Sequence, residues 1–145
     1  NPFMGYDSLE PFLDYPGKGI YLLAVTSNPG SDDLQRRETG GRRIFELVGE
    51  FAERAAGEER GTEVGLVVGL TNAGEDVLAG LPDVPLLIPG LGAQGGDLSM
   101  LTGGDRRAPN VVNVSRGVLY GEAGSPGECA TRYAEEIAGA LQQAE

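Results

Sequence analysis

The run Pro89-Gly90-Leu91-Gly92-Ala93-Gln94-Gly95-Gly96-Asp97 follows directly on the apolar stretch Val84 to Ile88. A strand that opens into a loop with four glycines and one central amide can wrap backbone N–H groups around an anion, because glycine admits close backbone approach. A second element of the same kind stands where Val111-Val112-Asn113-Val114 leads into Ser115-Arg116-Gly117. A glycine loop on one strand end and an arginine on another predict a phosphate held between neighbouring strands. The charge balance sharpens that reading. Eleven Lys and Arg stand against 22 Asp and Glu, a net charge of −11, which argues against nucleic acid or an anionic membrane as partner. Any phosphate must therefore be captured locally, against the field of the chain.

Other chemistries are excluded by what the chain lacks. It has no histidine, so Ser-His-Asp and Cys-His catalysis are out and a zinc site has almost no basis. The single cysteine, Cys129, has no partner in the chain for a disulfide and falls in a helical pattern, where it reads as a packed or surface thiol of a reduced, cytoplasmic setting. No run approaches the ~20 apolar residues of a membrane span, and a soluble protein is expected.

The elements that must position these residues alternate regularly. Ile20 to Thr26, Val64 to Leu70, Val84 to Ile88 and Val111 to Val114 are apolar runs bounded by glycine and polar residues, the pattern of parallel strands buried on both faces. Between them, Ile44, Leu47, Val48 and Phe51 recur at helical spacing up to a stop at Gly57. Thr71-Asn72 predict an N-cap for a short helix over Glu75 to Ala79. A final helix is expected from about Pro126 to Gln143, with Ala130, Tyr133, Ala134, Ile137 and Leu141 as its apolar face. The opening stretch reads as the mouth of a strand running into a helix capped by Asp7 or Ser8, with Leu9, Phe12 and Leu13 inside. Strict β/α alternation implies right-handed crossovers and a parallel sheet or barrel. Ser27, Thr71, the Pro89 loop and Ser115-Arg116 then share the rim at the carboxyl ends of the strands, where (β/α) barrels keep their sites. Four such units are half of a closed barrel of eight.

Five ordered motifs carry a family resemblance: Asn1-Pro2-Phe3-Met4-Gly5, Thr26-Ser27-Asn28-Pro29-Gly30, Gly65-Leu66-Val67-Val68-Gly69, Pro89 to Asp97, and Asn113-Val114-Ser115-Arg116-Gly117. In order, spacing and identity the chain resembles orotidine 5′-phosphate decarboxylases of the bacterial branch. That resemblance implies a (β/α)8 TIM barrel acting as a homodimer, which converts orotidine 5′-phosphate to UMP and CO2 without metal or organic cofactor. It implies that Gln94 bridges the substrate phosphate and pyrimidine, that Pro89 and Leu91 line the pocket, and that Arg116 pairs with the phosphate beside the backbone N–H of Ser115. Ser27 is similar to the serine that hydrogen-bonds the pyrimidine. The family's chemistry rests on an Asp-x-Lys-x-x-Asp motif and a further lysine. Here the only lysine is Lys18, in a turn before a strand, so no catalytic residue is assigned.

Residues 1–145 are accordingly expected to be the C-terminal half of one barrel domain. They would supply phosphate and pyrimidine recognition, with the N-terminal half as partner. A noncatalytic phosphate-binding half-barrel that dimerises to hide its open sheet edges is the other reading.

Overall fold

The computed structural model describes residues 1–69, 71, 74–91, 106–121 and 124–142. Four of the apolar runs become strands: β1 (Gly19–Val25), β4 (Glu63–Val68), β5 (Leu86–Pro89) and β6 (Asn110–Asn113). They pair in parallel in the order β1-β4-β5-β6, with Leu22 opposite Leu66, Leu66 opposite Leu86 and Leu86 opposite Asn110. β2 (Glu38–Thr39) and β3 (Arg42–Arg43) form a separate two-stranded hairpin. Its turn, Gly40-Gly41, has both φ angles positive, the backbone that twists a two-residue hairpin correctly and that glycine adopts without strain. The hairpin was not expected from the sequence, although a Gly-Gly pair is its recognised signal.

Burial on the sheet is one-sided, which corrects the expectation of strands buried on both faces. Leu22, Leu66, Leu86 and Ile88 are at most 3% exposed, whereas Tyr21 and Leu23 on β1 and Val111 on β6 are 39%, 44% and 48% exposed. The register puts Tyr21, Leu23, Val67, Leu87 and Val111 on one face, and that face is open. The other is covered by α2 (Ile44–Gly57), which packs on β1 and β4.

The buried stripe of α2 is also displaced from its predicted line. Phe45, Val48, Ala52 and Ala55 are its core residues, while Ile44, Leu47 and Phe51 are only half-buried. Both stripes obey the helical period. The choice between them is made by the loop before the helix, where Gln35 O accepts from Phe45 N–H and Arg37 O from Ile44 N–H.

Three further expectations at helix ends are corrected. α3 (Glu75–Ala79) has Gly74 at its N-cap position, three residues beyond Thr71, and Asn72 lies outside the described residues. The N-terminal segment forms two 3-10 turns, Pro2–Met4 and Tyr6–Ser8, before α1 (Glu10–Leu13), whose cap position is Leu9. There Ser8 Oγ turns back to donate to Gly5 O at 2.7 Å, and Phe12 is exposed. On α5 (Pro126–Gln142), Cys129 is buried and Tyr133, Ile137 and Ala140 pack on the core, whereas Ala130 and Ala134 are exposed. The stripe turns this way because α5 packs against α4 (Arg116–Leu119), and a Cβ on Gly117 would collide with the Tyr133 hydroxyl.

The segment entering β6 is held by Asp83, whose carboxylate accepts from the N–H groups of Ala108 and Arg107 at 3.0 Å. Those two bonds hold its pKa below the ordinary 3.8. A depressed folded value means stability that is present above pH 3.8 and is lost as pH falls through the folded value. Asp83→Asn is therefore expected to flatten the acid end of a melting-temperature profile, and an unchanged profile would contradict the role.

Candidate functional site at the carboxyl rim

The rim is built from the residues that follow β1, β4, β5 and β6. On β1 the register slips between Leu23 and Val25, leaving Ala24 as an extra residue against β4. Such a bulge bends a strand and re-aims what comes next, and what comes next is Thr26-Ser27. Thr26 is fixed twice by Gln35: its N–H donates to Gln35 Oε1 at 2.9 Å, and Gln35 Nε2 donates to its hydroxyl at 2.8 Å. The Thr26 hydroxyl in turn donates to Asn28 Oδ1 at 2.6 Å.

Ser27 sits between these two bonded neighbours and lies against the end of β4. A Cβ built on Gly69 would collide with the Ser27 hydroxyl and stand 2.9 Å from the Ser27 nitrogen. The glycine that closes the Gly65 to Gly69 motif is thus the space into which Ser27 fits. Among the described residues the Ser27 hydroxyl has no hydrogen-bond partner. Gly69→Ala is expected to displace Ser27 and cost about 1 kcal/mol, the low end for an overpacked site because the hydroxyl can rotate away. A thermal melt identical to the parent would contradict this contact.

β5 and β6 bring the other two features side by side. Pro89 pairs with Asn113, so the start of the glycine loop lies one strand spacing from the turn that carries Ser115 and Arg116. Gly90 has φ +112, a conformation that favours glycine. Pro89 is half-buried, whereas Leu91 is 4% exposed and belongs to the core cluster. Among the described residues of the run, Pro89 and Gly90 keep accessible surface and Leu91 is packed into the core. Gln94 and Asp97 lie outside the described residues. Ser115 and Arg116 are both exposed, and Asn113 Nδ2 donates weakly to Ser115 Oγ at 3.4 Å.

Arg116 differs from most arginines of this chain. Arg36, Arg42, Arg43, Arg54, Arg60 and Arg106 all pair with carboxylates, while Arg116 has no carboxylate partner among the described residues. Ser27 and Arg116 follow β1 and β6, strands that lie three spacings apart, roughly 14 Å along the sheet. A ligand touching both would be elongated, with its anionic end at Arg116.

A cleft of about 580 Å³ lies elsewhere, at the amino ends of the strands, lined by Thr62, Glu63, Val84, Pro85 and Pro109 among others. Its strongest charges are already engaged, Arg60 with Asp14 at 2.7 Å and Asp83 with backbone N–H groups. None of the residues singled out in the sequence lines it.

The family model of "Orotidine 5′-phosphate decarboxylase / HUMPS family" matches residues 1–133. The chain belongs to this family. The matched span contains the Ser27 loop, the glycine run and Ser115-Arg116. Among similar proteins, the orotidine 5′-phosphate decarboxylase of Paracidovorax citrulli is 46% identical over 94% of this chain and 52% of its own length. The Leishmania donovani OMP decarboxylase structure superposes with a TM-score of 0.79 at 39% identity, covering 97% of this chain and 55% of that one. The Leishmania donovani UMP synthase structure gives 0.80 at 40% identity, covering 97% and 32%. The chain spans about half the length of the curated decarboxylase relatives it matches. With these neighbours, the four-stranded parallel sheet is an arc of the family's TIM barrel. Among the described residues, no helix is long and apolar enough to cross a membrane.

Gln35 is a residue of this rim that the sequence analysis does not single out. It stands nine positions beyond Thr26, and no local pattern signals that its amide is spent on the Ser27 loop.

Proposed function

We propose that residues 1–145 form the C-terminal half of an orotidine 5′-phosphate decarboxylase barrel, supplying substrate recognition for the conversion of orotidine 5′-phosphate to UMP and CO2 in pyrimidine synthesis. The observation that carries this reading is Arg116, an exposed guanidinium without a carboxylate partner among the described residues, beside the Pro89-Gly90 loop in a chain of net charge −11. A planar guanidinium offers paired donors that match phosphate oxygens. Arg116 holds the substrate phosphate, with Ser115 beside it. Gln94 reaches between phosphate and pyrimidine, Pro89 and Leu91 line the pocket, and the free hydroxyl of Ser27 bonds the pyrimidine ring. Binding energy gathered at the phosphate, which does not react, is available to organise the reacting carbon.

No proton-transfer group is assigned to this chain. The Lys and Asp array comes from strands of the remaining barrel, which also cover the open face of Tyr21, Leu23 and Val111. A parallel sheet is normally covered on both faces, and this face carries the apolar residues for it. The assembled enzyme works as a homodimer in the cytoplasm, where the buried thiol of Cys129 stays reduced. UMP should bind the assembled barrel and inhibit turnover, whereas the 145-residue chain alone should release no CO2 from orotidine 5′-phosphate. Release by the chain alone would overturn this division of labour.

A further inference from the structure

We propose that Gln35 is a positioning residue for Ser27, its side-chain amide fixing the backbone from which the Ser27 hydroxyl reaches the ligand. The inference rests on the reading of Ser27 as the pyrimidine contact. Four observations carry it. The amide of Gln35 uses both of its ends on Thr26, accepting from its N–H at 2.9 Å and donating to its hydroxyl at 2.8 Å. Thr26 passes the constraint across Ser27 by donating to Asn28 Oδ1 at 2.6 Å. Gln35 is itself anchored, since its N–H donates to Ser31 O at 2.8 Å and its carbonyl accepts from the N–H of Phe45, a residue with no exposed surface. On its far side, Ser27 is confined by the space left at Gly69.

The chain of contacts therefore runs from the buried start of α2 through Gln35 to Thr26, and stops at the one hydroxyl in this loop left without a partner among the described residues. Removing the amide takes away the acceptor that the half-buried Thr26 N–H uses and the donor to its hydroxyl, and with them the two bonds that hold this backbone to Gln35. The bulge at Ala24 already departs from regular pairing with β4, so the sheet alone does not define where Ser27 points.

The test compares UMP with ribose 5-phosphate, which carries the phosphate and sugar but no pyrimidine, by calorimetric titration of the assembled barrel. Ser27→Ala should weaken UMP roughly 5- to 10-fold, the loss of one hydrogen bond, and leave ribose 5-phosphate unchanged. Gln35→Leu should show the same selective loss, roughly 3- to 10-fold, while Gln35→Glu, which keeps an acceptor for the Thr26 N–H, should restore most of it. Thr26→Val, which removes only the hydroxyl, should lose UMP affinity in the same selective way and serves where Gln35→Leu does not fold. Normal UMP binding in Gln35→Leu beside a weakened Ser27→Ala overturns the positioning role. Equal weakening of both ligands in Gln35→Leu overturns it as well, because that is general loosening. Normal UMP binding in Ser27→Ala fells the pyrimidine reading of Ser27, and the proposal with it.

Discussion

Arg116→Ala is expected to weaken UMP binding roughly 10- to 100-fold, the range for removing a charge-assisted hydrogen-bonding group from its anion. The fold should survive the change, because the side chain is exposed and has no carboxylate partner among the described residues. Arg116→Lys should fall between the two, keeping the charge but losing the planar pair of donors. The background field makes the effect larger than it would be in a neutral protein. With a net charge of −11, phosphate is repelled at long range, and a local cation is needed to offset that repulsion. Added salt should therefore ease approach to the Ala variant by screening the repulsion, while weakening the parent's ion pair. Calorimetric titration at two ionic strengths measures both, and equal affinity in parent and Ala variant would contradict the role.

The largest effect on stability is expected at Gly65. A Cβ there would stand 2.5 Å from the Pro85 carbonyl oxygen and 2.6 Å from the Tyr21 ring. The ring lies on the open face and has room to turn. The carbonyl has none, because it accepts the Leu66 N–H at 2.9 Å and so joins β5 to β4. Gly65→Ala must push the two strands apart or break that bond, and a cost of about 1–3 kcal/mol is expected for such overpacking. At this chain length each kcal/mol is worth several degrees of melting temperature. Gly57→Ala is the control. A Cβ at Gly57, in the last turn of α2, meets nothing within 4 Å, so that variant should melt at or slightly above the parent. Equal melting of Gly65→Ala and Gly57→Ala would contradict the packing described at the β4–β5 seam.

The strands and their parallel pairing were legible because each is a short apolar run closed by glycine or polar residues, and because helices separate β1 from β4 and β4 from β5. The identity of the rim was legible for the same reason, since Ser27, Pro89 and Arg116 each follow a strand end. What escaped reading depends on contacts distant in sequence. Ile44, Leu47 and Phe51 satisfy the helical period as well as Phe45, Val48 and Ala52 do, and only the loop at Gln35 to Arg37 decides which stripe turns inward. Leu91 reads as a loop residue by its glycine neighbours, yet it is drawn into the core under the rim. One-sided burial of the sheet could not be read from β1, because Tyr21 and Leu23 are as apolar as the residues on the covered face. Gln35 carries no signal at all in a single sequence, since a polar residue in a loop has many ordinary uses.

The proposed role of these residues is to recognise the substrate of a decarboxylase through Arg116. CO2 release from orotidine 5′-phosphate by the assembled barrel, parent against Arg116→Ala, tests it most directly. The expected result is release that UMP inhibits in the parent and that drops at least tenfold in kcat/KM in the variant, about 1.4 kcal/mol of lost transition-state stabilisation. Absence of release by the parent, or release untouched by the loss of Arg116, would contradict it.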